Sequence, residues 1–378
     1  MDHVSRREFA TAVAALALTP VRVFAAAPDS GRELPPWREY ADLTAIDFLA
    51  SPGPFNTPND LAAPLNAQML ENASRSGITA VNLTVDGDTV EQTFSSIAYW
   101  EREVDAHPDV LTHVRTLQDL RAAKQVGRLG LIYGFQGTRM LGGDLDRLRL
   151  FSSFGVRIVQ LTYNRRELIG DGCLEPGNAG PSQLGYEAVE RLNTLRIVID
   201  LSHCGQRTTA GAIAHSKAPV AISHSGCQAL ADRPRNKADA DLRLMADHGG
   251  VLGIYLMPFL TMGTQPTGDD VVRHIEHAVD VCGEDHVGIG SDLSITPHTI
   301  TDDYRRAHRA FVSERQKLGI AAPGEDPEIF FFVPDFNSPR RLEMIAERLN
   351  ARGHGSARIA KILGGNWVRL LRDVWGDA

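Results

Sequence analysis

The chain has 378 residues, 43% of them hydrophobic and 23% charged, a globular composition that excludes a disordered, collagen-like or disulfide-scaffold protein. Lys and Arg total 39 against 47 Asp and Glu, a formal charge of −8 with no basic block, which makes nucleic acid and anionic membrane surfaces poor partners. Four cysteines are too few to staple a chain long enough for one large α/β core or two smaller ones.

Ser5-Arg6-Arg7-Glu8-Phe9 precedes an apolar run from Ala10 to Leu18 and then Ala25-Ala26-Ala27. A paired-arginine start, a short apolar stretch without helical periodicity and a small-residue cleavage site read as a twin-arginine signal over 1–27. The apolar run is shorter than the roughly 20 residues a transmembrane helix needs, and no later segment supplies them. The expectation is therefore a partner in the twin-arginine export machinery, no membrane span and a soluble periplasmic protein. Pro28, Pro35, Pro36 and Trp37 mark 28–42 as a lead-in segment, and 43–378 as the folded domain.

Eight short apolar, β-branched runs follow: Leu43–Leu49, Ile78–Thr84, Leu129–Phe135, Val156–Thr162, Ile197–Ser202, Pro219–Ser223, Gly250–Leu256 and His286–Ser291. Helical patterns lie between them, among them Asp144–Phe154, Gly185–Leu195, Asp239–His248 and Asp269–Val281. Continuous apolar runs alternating with amphipathic helices predict parallel strands covered by helices. This rhythm suits an α/β fold of the (β/α)8 TIM-barrel type better than an open doubly wound sheet, and no G-x-G-x-x-G follows the first strand. Long insertions are expected at 85–127 and 293–340. Pro297, Pro323, Pro327, Pro334 and Pro339 make the second one loop-rich.

In such a barrel the active site forms where the strands end. The third run ends in Gln136, the fourth in Thr162-Tyr163-Asn164, the fifth in Ser202-His203-Cys204, the sixth in Ser223-His224-Ser225 and the eighth in Ser291-Asp292. His203 and His224 occupy equivalent places on neighbouring strands, within reach of one metal ion, which zinc accepts readily. Two buried histidines satisfied by hydrogen bonds are the alternative. Asp292 suits a metal ligand or a general base, and equally a helix N-cap. His107, His113, His248, His274 and His277 read as surface or structural residues.

These residues carry a family resemblance. Leu141-Gly142-Gly143-Asp144-Leu145, Leu161-Thr162-Tyr163-Asn164, Asp200-Leu201-Ser202-His203, Ser223-His224-Ser225, Pro234-Arg235-Asn236, Gly288-Ile289-Gly290-Ser291-Asp292 and Gly364-Gly365-Asn366-Trp367 occur in order and at matching spacing. The chain resembles the membrane (renal) dipeptidase family, peptidase family M19, of amidohydrolase-like metal-dependent barrels. The resemblance implies hydrolysis of a dipeptide by metal-activated water, with His203 and His224 holding one zinc and Asp292 assisting proton transfer. It places Arg235 at the substrate carboxylate, which a guanidinium fork suits. It places Tyr163 where relatives carry a substrate-contacting histidine, and it implies a homodimer.

The departures are as informative. Leu49 and Ser51 stand where the family has the histidine and aspartate of the other zinc, and Gln136 stands at the bridging glutamate. A neutral amide cannot supply the negative charge that holds two dications together. One zinc ion is expected rather than two, with Gln136 or Asp292 completing the shell around His203 and His224. Three readings remain: a mononuclear hydrolase, a dipeptidase-fold enzyme repurposed for maturing an exported peptide-derived metabolite, or a non-catalytic periplasmic peptide-binding protein. Cys204 and Cys227 flank the histidines and either pair, ligate the metal or pack as small buried residues; Cys173 and Cys282 have no clear partner.

Overall fold

A computed structural model describes residues 37–55, 63–319 and 321–377. The expected signal at 1–27 and most of the lead-in lie outside the described residues. In chain order the elements begin with β1 (Ile46–Asp47), β2 (Ala50–Ser51), α1 (Ala67–Arg75), β3 (Ala80–Thr84), α2 (Val90–Ala106), β4 (Leu111–His113), α3 (Leu117–Val126) and β5 (Leu129–Phe135). They continue with α4 (Asp146–Ser153), β6 (Val156–Gln160), α5 (Gln183–Thr194), β7 (Val198–Asp200), α6 (Gln206–His215), β8 (Ala221–Ser225), α7 (Asp239–Asp247) and β9 (Val251–Ile254). The chain closes with α8 (Gly268–Cys282), β10 (Val287–Ile289), β11 (Leu293–Ser294), α9 (Asp302–Lys317), α10 (Arg341–Ala351), α11 (Ser356–Ala360) and α12 (Asn366–Trp375).

Eight strands run parallel in the order β1-β3-β5-β6-β7-β8-β9-β10, one from each of the eight apolar runs. The Phe48 N–H donates to Ile289 O at 2.9 Å across the seam between the first and last, bringing the sheet close to a closed barrel. Strand β4 is an addition: it pairs with the start of β5, leaving the end of that strand to β6. Helix starts follow local chemistry. Thr89, Thr116 and Thr267 each cap a helix in a reciprocal box with the residue three positions on, which satisfies otherwise orphaned N–H groups.

Two apolar clusters organise the packing. The larger joins the strands to the outer helices. The smaller collects Ile46, Ala80, Ile132, Ile158, Val198, Ala221 and Val251, one from each of seven strands, against Trp367, Leu370, Leu371 and Val374 of α12. Trp367 stacks on Phe48 with ring centroids 3.8 Å apart and 3° between planes, and its indole N–H donates to Ile289 O at 3.1 Å. The C-terminal helix therefore packs against side chains lining the barrel, leaving the strand ends that carry the polar residues for a site.

The segment after β10 differs from expectation. Its prolines predict loop, yet it contains the 16-residue helix α9, because Pro297 and Pro323 bracket Asp302–Lys317 instead of interrupting it. All four cysteines are free thiols, with Cys204 and Cys227 buried, so these two do not pair. Among the described residues no helix is long and apolar enough to cross a membrane.

Candidate active site

His203 follows β7 and His224 lies within β8, so the parallel pairing of those strands delivers both imidazoles to one place. Their Nε2 atoms stand 2.9 Å apart. Each ring is held from behind. His203 Nδ1 is 2.7 Å from Asn164 Oδ1, a carbonyl oxygen, so Nδ1–H donates there. His224 Nδ1 is 2.7 Å from Ser223 Oγ, whose own hydroxyl donates to Asp200 Oδ2 at 2.5 Å. Ser202 donates to Asp200 Oδ1 at 2.7 Å. With both hydroxyl protons committed to the carboxylate, His224 Nδ1–H donates to Ser223. Hydrogen bonds at both Nδ1 atoms thus turn the two Nε2 lone pairs toward each other. Burial, assisted by the charges of Arg235 and Lys237, holds His224 well below the ordinary imidazole range and keeps it neutral.

Arg235 supplies positive charge at this point. It is only 3% exposed, not a surface arginine. Nη1 donates to Ser202 O at 2.7 Å and Nη2 lies 3.1 Å from His203 Nε2. Its guanidinium carbon sits 5.9 Å from the Tyr255 ring centroid. Tyr163 stacks on the His203 ring, centroids 4.2 Å apart and planes 22° from parallel.

Asp292 ends the last strand at the same end of the barrel, with φ +63°, a left-handed conformation uncommon outside glycine. Its N–H donates to Leu49 O at 2.8 Å, and the preceding Ser291 is held by Asp47. Backbone strain held by such surrounding contacts concentrates at functional positions. Gln136 is less engaged with the histidines: its side-chain amide donates to Thr84 Oγ1 at 2.8 Å and its N–H to Asp86 Oδ1 at 3.1 Å. With Tyr163 it lines a small recess of about 20 Å³. A larger cavity of about 170 Å³ is lined by Cys173, Cys204, Lys237 and Asp241 among others.

Sequence reasoning gave no role to three supporting residues, Asn164, Asp200 and Asp47, although the first two stand in the motifs it singled out. Asp200 and Asp47 are carboxylates inside buried apolar runs, a signal that was visible, since a charge in a central strand needs partners. Burial pushes the Asp200 carboxyl up, opposed by the hydrogen bonds from Ser223 and Ser202.

The donor set decides what metal fits. Among the described residues no group of three or more His, Cys, Asp or Glu side chains is arranged to hold an ion. Leu49 is apolar and buried, the Ser51 hydroxyl accepts from Gly53 N–H at 3.1 Å, and Gln136 is uncharged. The two histidine nitrogens are the donors that remain for an ion: nitrogens bound to one tetrahedral zinc stand about 3.3 Å apart, and both Nδ1 atoms have the outer hydrogen bonds that orient imidazole ligands.

A parallel barrel closed below and bearing paired histidines at its strand ends defines the class, an amidohydrolase-like (β/α)8 hydrolase. The model of the membrane dipeptidase family, peptidase family M19, matches residues 57–309, and the chain belongs to that family of metal-dependent peptidases. Dipeptidase verJ of Clonostachys rogersoniana is 30% identical over 208 residues, 54% of this chain and 54% of its own, so the match spans about half the length of that relative. An amidohydrolase from Pseudomonas aeruginosa is 32% identical with a TM-score of 0.76, covering 90% of this chain and 98% of its own. A metallopeptidase from Rhodobacter sphaeroides, solved with a phosphinate mimic of the dipeptide L-Ala-D-Ala, shares the fold at 19% identity and a TM-score of 0.70, covering 88% of this chain and 99% of its own.

Proposed function

We propose that this protein hydrolyses dipeptides, or closely related amides bearing a free carboxylate, with a single zinc ion held by His203 and His224. The observation carrying the reading is the Nε2 pair at 2.9 Å, each ring oriented by a hydrogen bond at Nδ1. Membership of a dipeptidase family supports the reaction class, and the replaced ligands support one ion over two.

When bound, the ion supplies Lewis acidity at the scissile carbonyl and lowers the pKa of water. Arg235 receives the substrate carboxylate and so fixes which amide faces the histidines. Asp292 takes a proton from the attacking water as its oxygen bonds to the carbonyl carbon. It delivers that proton to the amide nitrogen as the C–N bond breaks, giving a carboxylate and an amine. The Tyr163 ring, stacked on His203, holds its hydroxyl as a donor at the substrate. Gln136 offers an amide oxygen to complete the shell.

The same reading assigns 1–27 to a twin-arginine signal and the mature chain to the periplasm. N-terminal sequencing of the exported protein tests that part. The central test is metal content and dipeptide turnover of protein exported by its native host. About one equivalent of zinc with turnover abolished by chelation is expected. Metal-free protein that binds dipeptides without cleaving them would establish the binding-protein reading instead, and the neutral Gln136 at the bridging position is what favours that second reading.

A further inference from the structure

The cavity of about 170 Å³ is lined by none of the strand-end residues given roles above. It lies between two helix starts, Gly205 and Gln206 coming from α6 and Ala238 and Asp241 from α7. Two charged groups of opposite sign are buried in its wall: Lys237 is 3% exposed and Asp241 5%. The Lys237 ammonium donates to Cys204 O at 2.7 Å and to Thr209 Oγ1 at 3.0 Å. Both acceptors are neutral, which leaves the third N–H and the whole charge for a ligand. Among the described residues neither Lys237 nor Asp241 forms a salt bridge. Burial pushes Lys237 down and Asp241 up, and the charge of each offsets part of that cost for the other.

A buried charge is costly unless it is paired. An anion alone would satisfy Lys237 and be repelled by Asp241; a cation alone would meet the reverse. A ligand carrying both charges satisfies both groups. The polarity of the walls orients it. Helix α6 begins with no side-chain cap from Gly205 and no acidic residue in its first turn, so its positive end favours a carboxylate. Asn178 Oδ1 accepts the Arg207 N–H at 3.1 Å, so the Asn178 side chain has its NH2 to donate at the same end. The volume falls below the roughly 300 Å³ at which pockets for drug-sized ligands begin, which limits the occupant to a few heavy atoms.

We propose that this cavity binds a small free α-amino acid, its carboxylate paired with Lys237 at the start of α6 and its ammonium paired with Asp241. The site is separate from the strand ends and does not rest on the hydrolase reading. Lys237 links the two places: it holds the carbonyl of Cys204, the residue after His203, and follows Arg235 by two positions.

The test is calorimetric titration of the full chain with L-alanine, L-alaninamide, N-acetyl-L-alanine and inorganic phosphate. L-alanine is expected to bind. The amide, which lacks the carboxylate, and the acetyl derivative, which lacks the ammonium, are each expected to bind about tenfold more weakly or less. Phosphate is expected not to bind. Lys237→Met and Asp241→Asn each remove one charge at similar size and should weaken L-alanine by a similar factor, and in Lys237→Met the acid and its amide should bind alike. No binding of L-alanine, equal binding of the three alanine compounds, or tighter binding of phosphate overturns the proposal. L-alanine affinity unchanged in both variants also overturns it, by assigning the ligand to another place. A crystal structure of the wild type with L-alanine decides the matter even if the variants do not fold: the amino acid between Lys237 and Asp241 supports the site, and the amino acid at the strand ends alone overturns it.

Discussion

Asp47 accepts both the N–H and the hydroxyl of Ser291, each at 2.6 Å, joining the first strand to the end of the last across 244 residues of sequence. Both groups are buried, and Arg341 Nη1 donates to the same Ser291 hydroxyl at 3.1 Å while its Nη2 donates to Ser294 O. This linkage closes the seam beside Asp292. It also explains how a non-glycine residue is held at positive φ.

Replacing Asp47 by Ala leaves the N–H and hydroxyl of Ser291 buried without their acceptor and removes the carboxylate whose charge faces the buried Arg341. The expected loss of stability is about 2–4 kcal/mol, from two hydrogen bonds to a charged acceptor. Ser291→Ala removes only a hydroxyl and should cost about 1 kcal/mol. Urea unfolding of the two variants measures the difference; equal losses would show that the carboxylate is not the anchor.

His203→Ala is expected to abolish zinc retention and dipeptide turnover together while leaving the fold intact. Metal analysis, a hydrolysis assay and circular dichroism on one preparation check this. Turnover at the wild-type rate in the variant would rule out the role given to the histidine pair.

Gln136→Glu places a carboxylate where the family resemblance puts a bridging glutamate. The Thr84 hydroxyl, which now accepts from the amide at 2.8 Å, can reverse and donate to it. A full negative charge beside a dication is expected to tighten zinc binding by about tenfold or more. Calorimetry on the variant decides this, and an unchanged affinity would remove Gln136 from the metal's surroundings.

His274 gives a pH dependence separable from the site. It is buried, accepts the Cys227 N–H at Nδ1 and donates from Nε2 to Leu260 O, both at 3.0 Å. Burial lowers its pKa from 6.5 to about 4. Between those values the unfolded chain binds the extra proton, so this contribution is fully present above 6.5 and is lost as pH falls toward about 4. The loss amounts to about 3 kcal/mol. Unfolding free energies of wild type and His274→Gln across that interval should diverge in slope, the variant being flatter. Parallel slopes would contradict the assignment.

The strand register was legible because buried parallel strands are written as local apolar runs, and each run carries its terminal polar residue with it. That is how His203, His224 and Asp292 emerged, whereas the departures at Leu49, Ser51 and Gln136 rest on the family resemblance. Asn164 and Asp200 were less legible. Each is defined by what stands behind an imidazole, and that depends on side-chain contacts between strands. The helix α9 was missed because proline counts were weighed over the whole 293–340 segment, whereas the helix lies in a proline-free window inside it.

The sequence by itself determined the eight-strand barrel and the placing of two histidines at neighbouring strand ends, since both depend on residue identity at intervals the chain specifies locally. Only the tertiary structure decided that Arg235 is buried on His203, that Asp47 holds Ser291, that α12 packs into the barrel and that the cysteines remain thiols. Those relationships join residues tens to hundreds of positions apart, and hydrogen-bond geometry and packing select them only after the strands are paired.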